Sequence, residues 1–363
     1  MELSGQIVTP AGIVAGTIGF SETIMAIVSS PGAADRFILP GFIDTHVHGG
    51  DGGDVMDGAE GIARMARFHL RYGTTTLLPT TITRPWADVM AALHAVAAVR
   101  RYGIPGGALI HGAHLEGPFI NPERLGAQPP FTLLATPELV AEALAPGIVR
   151  VVTLAPEMPG AAEAQVMFQA AGVRVSLGHS AADFGCASHA IAAGCPVCGT
   201  HLFNAMGGIA GRAPGLAGAI LASDTAYAEL ILDLHHVHPG AFRLARAAIG
   251  ERLFLITDAI RATGLGDGAS ELGGQAVTIA DGTARLADGT LAGSVLTMDA
   301  ALRNAIGCGL PIEQAARLTS TNAARYLGLT DRGRLAPGLR ADLVILDTTL
   351  ELREVWLGGT RVG

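Results

Sequence analysis

Eight short β-rich runs alternate with longer alanine-rich segments through the middle of the chain, and this alternation constrains the fold more than any other feature. It is typical of parallel strands joined by crossover helices. Eight such units predict an α/β protein whose strands close into a (β/α)8 TIM-like barrel. The runs occupy residues 37–48, 74–80, 108–117, 149–157, 173–180, 195–204, 228–237 and 253–259. The helix-like segments between them include 58–72, 86–101, 161–171, 183–194 and 238–250.

The two ends of the chain differ in composition from the middle. Residues 1–39 and 336–363 are rich in Val, Ile, Thr and Gly and contain strand-like runs. We therefore expect a small β-sandwich built from both termini, with the barrel spanning residues 40–335. Residues 273–294 carry two Asp-Gly pairs, which predict a hairpin insertion after the last barrel strand.

Polar side chains follow most of the predicted strands. In a (β/α)8 barrel the active site lies at the carboxyl ends of the strands, and polar groups buried there are costly unless they are paired or bind a metal. This predicts a functional site at that end of the barrel. Seven of the eight runs end at or near an acidic residue or a histidine, namely His48, Glu116, Glu157, His179, His201, His236 and Asp258.

The third, fifth and sixth runs supply Glu116, His179 and His201. One carboxylate and two imidazoles, with a coordination position left for water, are a ligand set typical of a catalytic zinc or a similar divalent ion. We expect one metal ion at these three residues.

The first run ends in "THVH", with His46 and His48 two residues apart. Residues at this spacing in an extended segment point to the same side, so both imidazoles can serve a second metal site. Asp258 follows the last run, and a carboxylate beside metal-activated water is suited to act as the general acid and base.

Structural explanations compete with these assignments. A single histidine at the end of a strand is more often a structural residue. We therefore infer a site only because polar residues occur together at the ends of seven of the eight runs. We interpret His69, His94 and His189 as helix residues and His114 as interior packing. The C-x-x-C pair of Cys195 and Cys198 stands alone, which favours buried thiols over a structural zinc site.

Composition excludes several functions. The net charge of −8 disfavours nucleic acid or an anionic membrane as a partner. All 24 basic residues are arginine, which excludes Schiff-base chemistry and a metal-bridging carboxylated lysine. The sequence shows neither a secretion signal nor an apolar stretch long enough to span a membrane, so we expect a cytoplasmic protein.

Several motifs, taken together, resemble the amidohydrolase superfamily and, more closely, the N-acetylglucosamine-6-phosphate deacetylases. The resemblance covers nearly the whole chain, in order. The motifs are "LPGFIDTHVHGG", "HLEGPF", "VTLAPE", "SLGHS", "THLFNAM", "GRAPGLAGA", "HHVHP", "LITDA" and "LAGSVLTM".

The resemblance implies hydrolysis of an N-acetyl group from an amino-sugar phosphate by a homodimer that holds one or two zinc ions per subunit. It makes Glu116, His179 and His201 the main metal ligands and Asp258 the acid and base, with His46 and His48 available for a second ion. The expected substrate contacts are Asn204, Ala205, Arg212 and His236, together with Met298 in "LAGSVLTM". Gln128 replaces a histidine that relatives usually carry, and we expect it to face the substrate and alter sugar preference.

Other functions remain open at this stage. The chain can act on a different amino-sugar phosphate, or be another amidohydrolase such as a cyclic-amide hydrolase or a deaminase. The missing lysine argues against the former, and Glu116 on the third run argues against the latter. A barrel that binds a sugar phosphate without turnover is the alternative from another class, and the presence of Asp258 argues against it.

Overall fold

The computed structural model describes residues 1–30, 32, 35–194 and 196–362. The strands, in chain order, are β1 (Glu2–Thr9), β2 (Gly12–Phe20), β3 (Ile24–Ser29), β4 (Arg36–Pro40), β5 (Phe42–Val47), β6 (Gly49–Gly50), β7 (Gly53–Asp54), β8 (Thr74–Pro79), β9 (Leu109–Ile110), β10 (Ala113–Glu116), β11 (Val149–Leu154), β12 (Arg174–Leu177), β13 (Val197–Gly199), β14 (Tyr227–Ile231), β15 (Leu253–Ile256), β16 (Gly268–Leu272), β17 (Gln275–Ala280), β18 (Thr283–Arg285), β19 (Leu343–Asp347), β20 (Leu352–Leu357) and β21 (Thr360–Val362).

The helices connect these strands and cover the outside of the barrel. They are α1 (Ala59–Arg71), α2 (Trp86–Tyr102), α3 (Pro137–Leu144), α4 (Ala161–Ala170), α5 (Phe184–Ala192), α6 (Gly215–Ala222), α7 (Pro239–Ile249), α8 (Met298–Gly307), α9 (Ile312–Ala316) and α10 (Asn322–Leu327). A π-helical turn at Arg317–Thr321 joins α9 to α10, and 3-10 turns lie at Val55–Asp57, Pro122–Arg124 and Gly250–Arg252.

The predicted (β/α)8 barrel is confirmed. In the described part of the chain, parallel pairing joins β5, β8 and β9 in one sheet and β10 to β15 in another. A parallel bridge between Thr80 and His114 links the two sheets, and one between Val47 and Ala259 closes the circle. Strands β9 and β10 come from one predicted run, which is interrupted at His111 and Gly112. The carboxyl ends of all the barrel strands therefore meet at one mouth.

The first predicted run divides at Gly41. Its first half, β4, pairs with β1 and β19 in a different sheet, and only β5 enters the barrel. A side chain at Gly41 would meet Thr75 Oγ1 at 2.2 Å, so the chain passes from one sheet to the other where only glycine fits.

The terminal strands form the expected small β-domain. Among the described residues they make one hydrogen-bonded sheet in the order β21-β20-β19-β4-β1-β2-β3. Four strand spacings would separate β20 from β2 by roughly 19 Å in a flat sheet, yet the rings of Phe20 and Trp356 lie 5.2 Å apart. The sheet therefore folds over onto itself and encloses its own apolar core, as a sandwich does.

The predicted hairpin insertion starts earlier than expected. Strands β16, β17 and β18 form an antiparallel sheet that begins at Gly268. Gly273 and Gly274, where we placed the start of the insertion, form its first turn, with φ of 58° and 83°. The Asp281-Gly282 pair forms the turn between β17 and β18, as predicted.

Within the described residues, the structure contains no helix that is both long and apolar enough to cross a lipid bilayer. Cys195 lies outside the described residues, whereas Cys198 is fully buried on β13, and burial raises the pKa of its thiol well above the usual range.

Candidate metal centre and substrate cavity

Four barrel strands deliver buried polar side chains to one point at the mouth. Glu116 is the last residue of β10, and His179, His201 and Asp258 each follow the end of a strand by two residues. All four are at least 90% buried. The four side chains converge because the carboxyl ends of parallel barrel strands share one rim.

Glu116, His179 and His201 form a tight triad. Glu116 Oε1 lies 3.2 Å from His179 Nε2 and 3.1 Å from His201 Nε2, and the two imidazole nitrogens are 3.0 Å apart. Ligand atoms around a tetrahedral zinc with bonds of about 2.1 Å lie roughly 3.4 Å from one another. The three side chains therefore have nearly the spacing of ligands to one ion.

His46, His48 and Asp258 form a second group beside this triad. Asp258 Oδ1 lies 3.1 Å from His48 Nε2 and 3.5 Å from His46 Nε2. Glu116 faces both groups, because its Oε1 is 3.3 Å from His46 Nε2 and its Oε2 is 3.3 Å from His48 Nε2. Glu116 is thus the side chain shared between the two candidate metal positions.

The hydrogen bonds of the imidazoles show that this cluster fits a cation. His48 Nδ1 contacts the carbonyl oxygen of Thr80 at 3.0 Å, and His179 Nδ1 contacts that of Arg124 at 3.0 Å. A carbonyl only accepts, so each Nδ1 carries a proton, and in the neutral form of each ring the lone pair of Nε2 points at Glu116. Lone pairs that face carboxylates in a buried site require a positive charge between them, which a divalent metal supplies.

Without a metal, protons on His46 and His48 supply this positive charge. Burial favours the neutral forms, but hydrogen bonds to Asp258 and Glu116 and their charges raise the pKa of His48 to about 9, and the same carboxylates raise that of His46 well above its usual value. In return, and against the effect of burial, the histidines hold the pKa of Asp258 and of Glu116 below the usual range. The site therefore keeps its carboxylates ionised at neutral pH and attracts positive charge.

Several of these residues adopt strained backbone conformations. Positive φ is uncommon for residues other than glycine, and such strain concentrates at functional sites. His179, His201, Ala205 and Asp258 have φ of 48°, 30°, 48° and 50°. The loops after the strands thus turn sharply, and this brings the side chains back over the mouth of the barrel.

Glu157, at the end of the fourth run, has a different role. It does not line the cavity; its carboxylate accepts hydrogen bonds from Asn121 Nδ2, Ser180 Oγ and the backbone N–H of Ala181, at 2.8, 2.7 and 2.6 Å. Glu157 therefore fixes the strained turn that carries His179. His114 packs in the interior, with its ring bonded to the carbonyl of Thr45 and to Thr153 Oγ1.

A cavity of about 330 Å³ opens above the metal cluster. Four of the predicted substrate contacts line it: Gln128, Asn204, Ala205 and His236. Met298 does not; it is fully buried in the apolar core at the start of α8, so its predicted substrate contact is replaced by a packing role. Arg212 lies exposed in the loop before α6, outside the cavity lining, and its predicted phosphate contact stays a prediction.

Arg285 is a cavity residue that was not among the substrate contacts predicted from the sequence. This residue ends β18 in the inserted sheet, and it is the arginine that lines the cavity among the described residues. Its Nη1 donates to the carbonyl of Gly289 at 2.8 Å, which holds the guanidinium at the rim. The only signal in the sequence was the position of Arg285 inside the predicted insertion. The hairpin pattern does not show that the inserted sheet covers the mouth of the barrel.

His236 is held at the cavity by Asp233. The Nδ1–H of His236 donates to Asp233 Oδ2 at 2.7 Å. Burial would raise the pKa of Asp233, but this hydrogen bond and the charge of His236 lower it. The ionised carboxylate therefore fixes the orientation of the His236 ring at the cavity wall.

Comparison with protein families shows that residues 37–362 match the model of the amidohydrolase family. The chain is 41% identical over 350 residues to an N-acetylgalactosamine-6-phosphate deacetylase from Escherichia coli O157:H7, covering 95% of this chain and 92% of that protein. It is also 41% identical over 331 residues to an N-acetylglucosamine-6-phosphate deacetylase from Bacillus subtilis, covering 88% of this chain and 83% of that protein.

Solved structures show the same relationship. The structure of N-acetyl-D-glucosamine-6-phosphate deacetylase from Mycobacterium smegmatis superposes with a TM-score of 0.94 at 36% identity, covering 100% of each chain. The enzyme of the same name from Thermotoga maritima gives a TM-score of 0.93 at 32% identity, covering 100% of this chain and 99% of the other. The chain therefore belongs to the amidohydrolase family, in the group of the N-acetylglucosamine-6-phosphate deacetylases.

Proposed function

We propose that the protein hydrolyses the N-acetyl group of N-acetylglucosamine 6-phosphate and releases glucosamine 6-phosphate and acetate. The observation that carries this proposal is the arrangement of Glu116, His179 and His201 beside Asp258 on the floor of a 330 Å³ cavity. A metal ligand set next to a further carboxylate provides the groups needed for attack of water on an amide. The substrate in this proposal is taken from the names of the relatives.

The ligand set fits one divalent metal at Glu116, His179 and His201 and a second at His46, His48 and Asp258. When bound, the metal supplies Lewis-acid polarisation of the amide carbonyl and lowers the pKa of water. Asp258 takes the proton from the attacking water, because its lowered pKa keeps it ionised at neutral pH. The same carboxyl then returns the proton to the amine nitrogen as the C–N bond breaks, which makes the amine a competent leaving group.

The other end of the cavity suits a phosphorylated sugar. Arg285 offers paired donors that match phosphate geometry, and His236 lines the same cavity. The net charge of the chain is −8, so a local cation such as Arg285 is needed to hold a dianion. Asn204 and Ala205 follow the metal-cluster residue His201 in the sequence and line the same cavity. We assign them to contacts with the sugar and its acetamide group.

An amine-release assay tests the proposed reaction. Purified protein loaded with Zn²⁺ is given the N-acetylated 6-phosphates of glucosamine, galactosamine and mannosamine, alongside their unphosphorylated forms. We expect turnover of the glucosamine phosphate and much weaker activity without the phosphate. Binding of the sugar phosphate with no release of amine or acetate would support a non-catalytic binding barrel instead.

N-acetylgalactosamine 6-phosphate is the second candidate substrate. It is favoured by the Escherichia coli relative, whose match covers 95% of this chain. The two sugars differ only in the configuration of one hydroxyl group. Comparing kcat/KM for both in the same substrate panel shows which one is preferred.

Zinc as the metal, a homodimeric assembly and a cytoplasmic location also remain our predictions, supported by the family resemblance and the chemistry of the ligands. Metal analysis of protein purified without added metal tests the first. Sedimentation and cell fractionation test the other two.

A further inference from the structure

Glu229 is a carboxylate in the interior of the barrel that the proposed reaction does not use. It lies on β14 and is fully buried. Its side-chain oxygens contact Thr45 Oγ1 at 3.1 Å and His46 Nδ1 at 3.2 Å. Within the described residues, the imidazole of His46 is its ion-pair partner. A carboxylate buried this deeply is strongly destabilising unless its partners compensate, so the contact with His46 requires an explanation.

The contact determines which nitrogen of His46 is free. Since the carboxylate of Glu229 accepts, Nδ1 of His46 carries the proton and Nε2 carries the lone pair in the neutral ring. That Nε2 is fully buried and has no hydrogen-bond partner among the described residues. It faces Glu116 Oε1 at 3.3 Å and Asp258 Oδ1 at 3.5 Å, where a second metal would lie.

Two other imidazoles of the cluster are oriented by neutral groups. Backbone carbonyls accept from Nδ1 of His48 and of His179. A carboxylate in the same position makes an imidazole more basic and a better metal ligand, and removing such a partner typically weakens metal binding about 10- to 100-fold. Glu229 therefore distinguishes His46 from those two histidines.

We propose that Glu229 is the positioning residue that makes His46 a ligand and sets the affinity of the second metal site. The inference rests on the proposed metal-dependent function and deepens it. On this proposal, binding of a second metal depends on the H-x-H pair and on the buried carboxylate of the seventh barrel strand that orients its first histidine. Thr45 holds the other oxygen of Glu229 and fixes its orientation.

A metal site formed by Glu229 itself is less consistent with the contacts. His46, His114 and Glu229 also lie close enough together to surround an ion. However, both ring nitrogens of His114 already have partners, Thr45 and Thr153, at 3.1 and 2.8 Å. His114 thus packs beside the ring of His46 and leaves Glu229 to orient it.

The test measures metal binding directly. Metal-free protein is titrated with Zn²⁺ in competition with a chromophoric chelator, and metal content is measured by mass spectrometry. We expect two ions per wild-type chain. Glu229→Gln keeps an acceptor for His46 Nδ1 but removes the charge, so it should weaken the second site about 10- to 100-fold and leave the first site unchanged. Thermal unfolding of the metal-free variant checks that it folds.

Two further variants separate positioning from a general loss of buried charge. In a His46→Ala background, Glu229→Gln should produce no further change in zinc affinity, because the ligand it positions is gone. Asp342→Asn is the matched control: Asp342 is buried, and its carboxylate accepts from Arg340 Nε and from the backbone N–H of Gly358 rather than from any residue of the metal cluster. It should change the second affinity by less than about threefold.

The outcomes are distinct. The inference is overturned by unchanged second-site affinity in Glu229→Gln, by an equal loss in Asp342→Asn, or by an undiminished effect without His46. A wild-type chain that binds one zinc and releases amine would also overturn it while leaving the proposed function intact. Two bound zinc ions with the expected Glu229→Gln effect but no amine release would support the inference and contradict the proposed reaction.

Discussion

Gln128 donates its side-chain amide to Glu116 Oε2 across 2.6 Å. The orientation of the amide is defined, because its oxygen accepts the backbone N–H of Thr83 at 2.7 Å and a backbone N–H can only donate. Gln128 lines the cavity, as we predicted, but both ends of its amide are bonded to the protein. This gives it a role in orienting a metal ligand in addition to the expected contact with substrate.

Replacing Gln128 by Ala should therefore weaken zinc binding. The change removes the amide donor from the buried Glu116 Oε2, which costs about 1–3 kcal/mol, or roughly 5- to 150-fold in affinity. Gln128→His, which retains a donor, should bind zinc more tightly than Gln128→Ala. Chelator competition measures both. A shift in relative sugar preference with unchanged zinc affinity would instead give Gln128 a substrate role alone.

Asp258→Asn should abolish most turnover while keeping the metal at Glu116, His179 and His201. Asparagine preserves the shape of the side chain but cannot accept the proton, and a general acid or base typically contributes about 10²- to 10⁴-fold. Single-turnover amine release and metal content should be measured on the same sample. A rate constant near that of the wild type would remove Asp258 from the mechanism.

Glu116→Gln should reduce bound metal sharply, because Glu116 faces both candidate positions and a neutral amide is a poor ligand. The double variant His46→Ala, His48→Ala should retain one ion per chain at the triad. Metal content after dialysis distinguishes the two. Complete loss of metal from the double histidine variant would mean that the order of the two sites is reversed.

Arg285→Ala should raise KM for the phosphorylated substrate far more than it affects the unphosphorylated sugar. One charge-assisted hydrogen bond contributes about 1.5–3 kcal/mol, which corresponds to roughly 10- to 150-fold. Arg212→Ala is the matched comparison, since Arg212 lies in an exposed loop outside the cavity lining. If Arg212→Ala raises KM and Arg285→Ala does not, the phosphate contact predicted from the resemblance is correct and Arg285 is a rim residue.

The sequence by itself determined the barrel and the polar residues at the carboxyl ends of its strands. Both follow from local patterns, because strand and helix alternation reflects backbone preferences and burial that act over a few residues. Glu116, His179, His201 and Asp258 could be selected because the carboxyl ends of barrel strands must meet, whatever the details of the loops.

Only the tertiary structure decided which partners the other polar side chains contact. Glu157 lies just beyond the carboxyl end of a barrel strand and Glu116 lies at the end of one, yet Glu157 bonds to Ser180 and supports a turn. Arg285 reaches the cavity from an inserted sheet, and Glu229 meets His46 from a strand 183 residues away. These pairings depend on closure of the barrel and on packing across it, which no local pattern encodes, because contacts between distant segments form only when the whole chain has folded.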